Sequence, residues 1–230
     1  MKIECANGVR SICVKNNLKG KVVCLVSGGI DSPVAAWLAM KKGLTPVFVY
    51  FDNSPFTDET AQQRTLEAVE KLRQYACEKS IKLYIVPHGD NLADILRGCQ
   101  SNLTCVLCKR MMYRVAEKIA LKEGAEALVT GEIIGEHASQ TLRNLHVVNE
   151  VLSNVTVLRP LIGMNKTEVE SIARKIGTFN ISIKPVSCCT AVPPKPRTRA
   201  NLEEVHKTEK HLNIESMIER DLESVTVRVV

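Results

Sequence analysis

The segment Ser27-Gly28-Gly29-Ile30-Asp31-Ser32 limits the possible folds of this chain more than anything else in it. It follows a β-branched apolar run, Lys21–Val26 (KVVCLV), and precedes a run of helix formers after Pro33 (VAAWLAMKK) that stops at Gly43. A strand that turns through two adjacent glycines straight into a helix makes a cradle for an anion. Glycine reaches positive φ and lets the backbone come close, while successive amides and the helix N-terminus aim partial positive charge at one point. Ser27 and Ser32 add hydroxyl donors, and Asp31 adds a carboxylate suited to holding Mg²⁺ or positioning a cleaved phosphate. The spacing has neither the lysine of a Walker A loop nor the three glycines of a dinucleotide fingerprint. Taken alone, the turn also reads as a tight loop with a capping Asp or Ser.

The rest of the chain repeats the alternation that the turn begins. Pro46–Phe51 and Lys82–Val86 read as strands around a long amphipathic helix, Asp58–Ser80. Helical periodicity returns at Lys109–Glu123 and around Ser139–Leu152, with short strands at Ala127–Thr130 and Val155–Leu158. Asn165-Lys166-Thr167-Glu168 reads as a capped helix start, and the helix runs to Gly177. Strands and helices in alternation predict an α/β fold, a mostly parallel sheet with helices on both faces, whose ligands lie beyond the carboxyl ends of the strands. Residues 1–20 read as an N-terminal adapter, 21–200 as the sheet domain and 201–230 as a helical extension containing one charged helix, Leu202–Glu219. Asn180–Ala200, with four prolines and Cys188-Cys189, reads as an irregular loop.

Composition removes several classes. With 45% hydrophobic and 24% charged residues, the chain has too much apolar content for disorder, and no segment has the roughly 18 consecutive apolar residues of a membrane span. Met1–Cys5 has no basic-then-apolar signal pattern, and nine cysteines, an odd number partly inside core segments, point to a reduced cytoplasmic compartment. The formal net charge of +6 suits a nucleic-acid partner and equally an anionic metabolite. With aromatics at 4%, extensive base stacking is disfavoured, so an RNA would be read by shape and backbone. Lys195, Arg197 and Arg199, in the proline-stiffened stretch PPKPRTRA, are the candidate phosphate contacts, and a merely solvated loop is the plainer alternative.

SGGIDS after KVVCLV resembles the PP-loop of ATP pyrophosphatases, which split ATP to AMP and pyrophosphate by adenylating a carbonyl-type oxygen. Thr130-Gly131-Glu132, Ser139-Gln140-Thr141-Leu142 with Asn144, Leu158–Met164 (LRPLIGM) and Ile172–Thr178 (IARKIGT) extend the likeness. Together they resemble the PP-loop domain of the tRNA 4-thiouridine synthetases, the ThiI family, over about residues 20–200. The family's THUMP-containing and rhodanese regions have no counterpart in these residues, so the expectation is a minimal relative of the archaeal type. By this resemblance the nucleotide (ATP with Mg²⁺) meets Leu25, Val26, Ser27, Gly28, Gly29, Asp31 and Ser32, then Phe51 and Asp52, and finally Lys109, Gly131 and Gln140. Asp31 and Ser32 would be catalytic. Phe51 could pack beside adenine, Lys109 neutralise phosphate and Gln140 read polar atoms, although Phe51 and Gln140 alone would suggest only packing or a surface role.

Chance alone predicts about 0.35 Cys-x-x-Cys pairs for this cysteine content, so placement must carry the argument. Cys105-Val106-Leu107-Cys108 lies just before the helix bearing Lys109, and Cys188-Cys189 follows Pro185, so both could reach the mouth of the crevice. Such thiols are open to reading as metal ligands, a redox disulfide, nucleophiles or small hydrophobes. The resemblance implies a 4Fe–4S cluster on Cys105, Cys108 and one later cysteine, here Cys188 with Cys189 as the alternative, leaving one iron to hold hydrosulfide as sulfur donor. The neighbour that does not ligate would be catalytic, for which Cys189 is the candidate, or packed. Zinc remains open as the metal. Cys24 and Cys77 read as structural thiols, Cys5, Cys13 and Cys99 have no motif context, and the five histidines show no ligand spacing beyond a His206/His211 near-pair on a solvated face. The reading is therefore a tRNA sulfurtransferase acting on a uridine, position 8 by the family pattern, with tRNA and sulfide as partners and a homodimer by analogy. A PP-loop enzyme of thiamine-thiazole sulfur supply and a non-enzymatic iron–sulfur or nucleotide-binding accessory protein are the alternatives.

Overall fold

The computed structural model describes residues 20–78 and 80–230; the expected adapter, with Cys5 and Cys13, lies almost wholly outside them. β1 (Lys21–Leu25), β2 (Thr45–Asp52), β3 (Lys82–Pro87), β4 (Ala127–Val129) and β5 (Thr156–Leu158) form a parallel sheet, and β6 (Thr226–Val229) joins it antiparallel, in the order β5-β4-β1-β2-β3-β6. The chain lays down β1, β2 and β3 on one side, then crosses back to place β4 and β5 on the other. β1 is therefore the strand at which the direction of winding reverses, and a crevice opens beyond its carboxyl end.

The apolar runs that marked the strands are buried on both faces, as a covered parallel sheet requires. Along β2, Val47, Val49 and Phe51 enter one core while Phe48 and Tyr50 enter the other. The first core is closed by α4 (Thr104–Glu123), α3 (Gly89–Gly98) and α9 (Ile214–Glu223); the second is closed by α1 (Asp31–Lys41), α2 (Glu59–Arg73) and α6 (Lys166–Ile176). Among the described residues, no helix is long and apolar enough to cross a membrane.

Several expectations change in detail. The helix expected over Asp58–Ser80 ends at Arg73, and the one expected from Lys109 starts at Thr104, so the Cys-x-x-Cys pair is inside its first two turns. The single helix expected over Leu202–Glu219 is two, α8 (Leu202–Glu209) and α9, because the Asn213 side chain accepts from the Ser216 amide and starts a new helix. Strand β6, short and exposed on alternate and intervening residues alike, carries no burial pattern that a sequence reading could find.

One buried charge network fixes α4. Arg110, 1% exposed, donates through Nε and Nη2 to the two oxygens of Glu209 at 2.8 Å each, and through Nη1 to the Val147 carbonyl and, at 3.1 Å, to Glu150. Arg114 adds two further bonds to Glu209, so α4 is tied to α8 and to α5 (Leu142–Asn149). Burial disfavours the Glu209 charge, but hydrogen bonds and charge from Arg110 and Arg114 win and hold its carboxyl at about 2, below the ordinary 4.5. A folded-state value depressed in this way stabilises the fold above the unfolded value, and that contribution is lost as pH falls from about 4.5 to about 2. Urea denaturation across that window should show the wild type losing stability more steeply than Glu209→Gln, which should itself be weaker at neutral pH; parallel profiles for the two would contradict the assignment.

Candidate functional site

The turn after β1 is held through its carbonyls, while several of its amides meet no acceptor among the described residues. Arg64 of α2, buried, donates to the Gly28 carbonyl at 2.6 Å and to the Ser182 carbonyl. The Ser182 hydroxyl, in the short helix α7 (Phe179–Ser182), donates to the Gly29 carbonyl at 3.1 Å. Inside the turn, the Ser32 hydroxyl accepts from the Ser27 amide at 2.8 Å and stands 3.1 Å from the Ser27 hydroxyl, which accepts from the Gly29 amide. Among the described residues, the amides of Gly28, Ile30, Asp31 and Ser32 meet no acceptor. These four donors lie at or just before the N-terminus of α1, which has no side-chain cap, the kind of helix start at which anions are held.

Two glycines are required by contact. A Cβ at Gly28 would lie 2.8 Å from the Arg64 Cβ, and one at Gly131 would lie 2.6 Å from the Ser32 amide nitrogen. Thr130-Gly131-Glu132 follows β4, which pairs with β1, so the backbone of Gly131 lies directly on the start of α1. Asp31 is paired with Lys166, whose ammonium stands 2.8 and 3.1 Å from its two oxygens. The two residues are 135 apart in sequence, and the only signal for Lys166 was its place in a capped helix start.

Glu132, 5% exposed, receives two cations on separate oxygens: Lys109 at 2.9 Å on Oε1 and Arg159 at 2.6 Å on Oε2. The hydroxyls of Thr130 and Tyr113 also donate to Oε2, at 3.1 and 3.3 Å. Burial works against the carboxylate's charge, yet Lys109 and Arg159 hold it below the usual range. Lys109 is thus partnered within the protein by Glu132. Glu132 and Arg159 lie in segments that carried the family resemblance but had no individual role there, and Arg64 carried no signal at all, because it reads as an ordinary polar position on a helix face.

The structure brings three cysteines toward one another. Cys105 and Cys108, three residues apart, share a face at the start of α4, and both lie within electrostatic reach of Cys189. Burial, then the neighbouring Cys189, raises both thiols, while Lys109 pulls them down. Cys189 packs partly against the same core, and its thiol is raised by burial and lowered by the Ala191 amide; Cys188 is exposed. Of the two neighbours, Cys189 is the one partly packed against the core.

Other expected contacts are placed differently. Leu25 and Val26 end the strand under the turn, with the Val26 amide donating to the Val49 carbonyl at 2.9 Å. Phe51 is buried edge-on against His88, with centroids 5.3 Å apart. Asp52 accepts from the Ser54 amide and hydroxyl at 3.0 and 2.8 Å. The Gln140 side chain is buried and accepts from the Ile133 amide at 3.4 Å, closing its own loop. Lys195 and Arg199 are exposed, whereas Arg197 donates to Glu204 at 2.9 Å and its carbonyl accepts from Asn144 at 2.7 Å.

A family model described as thiamine biosynthesis protein (ThiI) matches residues 17–214. A protein named probable tRNA sulfurtransferase from Methanosarcina mazei is 43% identical over 209 residues, 91% of this chain and 51% of that protein. One of the same name from a Thermoanaerobacter species is 44% identical over 208 residues, 90% of this chain and 54% of that protein. The chain spans about half the length of the curated relatives it matches. Among solved structures, a 4-thiouridine synthetase in complex with RNA and bound ATP superposes with a TM-score of 0.88 at 38% identity, over 92% of this chain and 55% of that one. An NMN synthetase from Francisella tularensis, at 18% identity and a TM-score of 0.55 over 89% of this chain and 81% of that one, shares the fold alone.

The contact at Gly131 yields a direct test of the site. Gly131→Ala should displace the start of α1 and weaken binding of inorganic pyrophosphate, read by calorimetry, by about tenfold or more, the order expected when an added methyl meets backbone. Unchanged pyrophosphate affinity would show that the turn tolerates the displacement or binds no anion.

Proposed function

This chain belongs to the ThiI family, and from that membership we propose that it is a tRNA sulfurtransferase of the 4-thiouridine synthetase type. What carries the reading is the Ser27–Ser32 turn with its unpaired amides, in a chain so similar to an ATP-bound, RNA-bound synthetase. The amides of Gly28, Ile30, Asp31 and Ser32 would take the phosphates of ATP. The C4 oxygen of a tRNA uridine, at position 8 by the family pattern, attacks the α-phosphorus as the N3 proton leaves. The bond to the β-phosphate oxygen breaks, and pyrophosphate departs. Hydrosulfide then adds at C4, AMP leaves with the original oxygen, and the sulfur-borne proton returns to N3. Amides fixed before the reaction stabilise charge on the pentavalent phosphorus without reorganising. Asp31, steadied by Lys166, is the carboxylate that would hold a Mg²⁺ accompanying the triphosphate, and the ion would there offset phosphate charge.

Cys105, Cys108 and Cys189 would hold the sulfur chemistry. Among the described residues, no three Cys, His, Asp or Glu side chains are gathered tightly enough for a single metal ion. An iron–sulfur cluster spreads its thiolates further apart than a single ion does, so three thiols within electrostatic reach of one another suit it better than mononuclear zinc. Held by three thiolates, a 4Fe–4S cluster supplies one open iron for a sulfur donor. Cys189 replaces Cys188 as the proposed third ligand because it is partly packed against the same core and lies within electrostatic reach of the pair, whereas Cys188 is exposed. Lys195 and Arg199 would meet RNA phosphates, while Arg197 holds the loop to α8. A cytoplasmic location keeps these thiols reduced, and a homodimer would extend the surface offered to tRNA.

Anaerobic protein given ATP, sulfide and unmodified tRNA should form AMP, pyrophosphate and thiolated tRNA together. AMP without thiolated tRNA would favour a small-metabolite substrate, and neither product would leave a binding protein. Cys105→Ala should lose brown colour and thiolation together, and full activity without colour would remove the cluster. Asp31→Asn should slow AMP formation by about a hundredfold, the usual cost of one lost electrostatic contact to a phosphoryl transition state.

A further inference from the structure

The carboxylate of Glu132 carries one negative charge and is faced by two cations. Arg159 is the more firmly seated: its Nε donates to Glu132 at 2.6 Å, and its Nη2 donates to Asn149 at 2.6 Å and to the Tyr113 hydroxyl at 3.4 Å. Lys109 makes one bond, at 2.9 Å, and its side chain is 27% exposed against 6% for Glu132. Arg159 alone can neutralise Glu132, so the ammonium of Lys109 is the surplus charge. It can leave without abandoning a buried carboxylate, a departure that would otherwise be strongly unfavourable.

Position gives that surplus a destination. Gly131, the residue before Glu132, lies against the Asp31–Ser32 backbone, so the pair that holds Lys109 follows in sequence directly on a contact with the turn. Lys109 also follows Cys108 directly, on the helix that presents Cys105 and Cys108. We propose that Glu132 and Arg159 are positioning residues that hold Lys109 in a releasable pair, from which its ammonium transfers to the triphosphate of the bound nucleotide. The inference rests on the nucleotide reading of the Ser27–Ser32 turn and adds how the cation is stored and delivered. Because Lys109 is one residue from Cys108, the transfer changes the charge felt by the cysteines at the moment the phosphates arrive.

The arrangement makes an unusual demand on Arg159, a residue with no proposed contact to nucleotide. In Arg159→Gln, Lys109 becomes the sole counter-charge of Glu132 and cannot leave, so ATP affinity should fall by about tenfold, while in Arg159→Gln/Glu132→Gln the buried charge is gone, Lys109 is free and the affinity should return. Glu132→Gln alone should bind ATP at least as tightly as wild type yet form AMP about tenfold more slowly, because the ammonium is no longer aimed. Lys109→Met should abolish these differences, leaving the single and multiple variants with equal ATP affinity. Equilibrium binding of ATP, with circular dichroism to confirm folding, reads every arm, and Arg159→Lys serves as the milder substitute if Arg159→Gln unfolds. A double variant that binds ATP no better than Arg159→Gln, or effects that persist unchanged in the Lys109→Met background, would overturn the proposal while leaving the thiolation reading intact. Wild-type protein that binds no ATP at all would instead overturn the nucleotide reading itself.

Discussion

The site depends on an asymmetry in how one turn is hydrogen-bonded. A glycine turn whose amides and carbonyls were both satisfied internally would be an ordinary connection between β1 and α1. Here the carbonyls of Gly28 and Gly29 are taken by Arg64 and Ser182, which fixes the peptide planes from behind. Of the two amides in those planes, that of Gly29 meets the Ser27 hydroxyl, while that of Ile30 meets no acceptor among the described residues. An anion therefore meets donors already oriented, and little ordering remains to be done on binding. The buried Arg64 does more than tie down a loop. It is a full positive charge set a few atoms behind the amides, and burial weakens its hold on the proton.

Much of this was legible because strand and helix periods are separate signals and the sheet is covered on both sides. KVVCLV, PVFVYF and KLYIV are continuous apolar runs, which only doubly covered strands tolerate, and the glycine turn marked where the first helix must start. What escaped the sequence reading lacks local cause. Strand β6 is exposed along its length and exists because β3 offers an unpaired edge. Arg64 lies on a strongly polar helix, and nothing near it in sequence says that two distant carbonyls need a donor. The pairing of Asp31 with Lys166 and the convergence of Lys109 and Arg159 on Glu132 likewise join positions that only the sheet order brings together.

The cysteine expectation shows the same limit from another side. Alternation in an extended chain dictated that only one of Cys188 and Cys189 could face the Cys105/Cys108 pair, but alternation has no absolute phase. The phase comes from neighbours. The Thr190 amide donates to the Phe56 carbonyl at 2.9 Å, and the Ala191 side chain is buried in the α4 core. Those two anchors turn Cys189 inward and leave Cys188 outside.

The Arg110–Glu209–Arg114 network then acquires a reason that stability alone does not provide. Burying such a triad costs a great deal of desolvation, and well-packed apolar side chains of equal volume often stabilise a helix contact as well or better. An apolar patch, however, lets a helix slide or rotate by a fraction of a turn with little change in energy. Bidentate bonds from two successive turns of α4 to one carboxylate do not, because each guanidinium must keep its plane. The same helix presents Cys105, Cys108 and Lys109 in its first two turns, and a small rotation would carry the cysteines away from Cys189 and Lys109 away from Glu132 together. Fixing the rotation of α4 at Arg110 and Arg114 therefore fixes, in one stroke, both halves of the crevice.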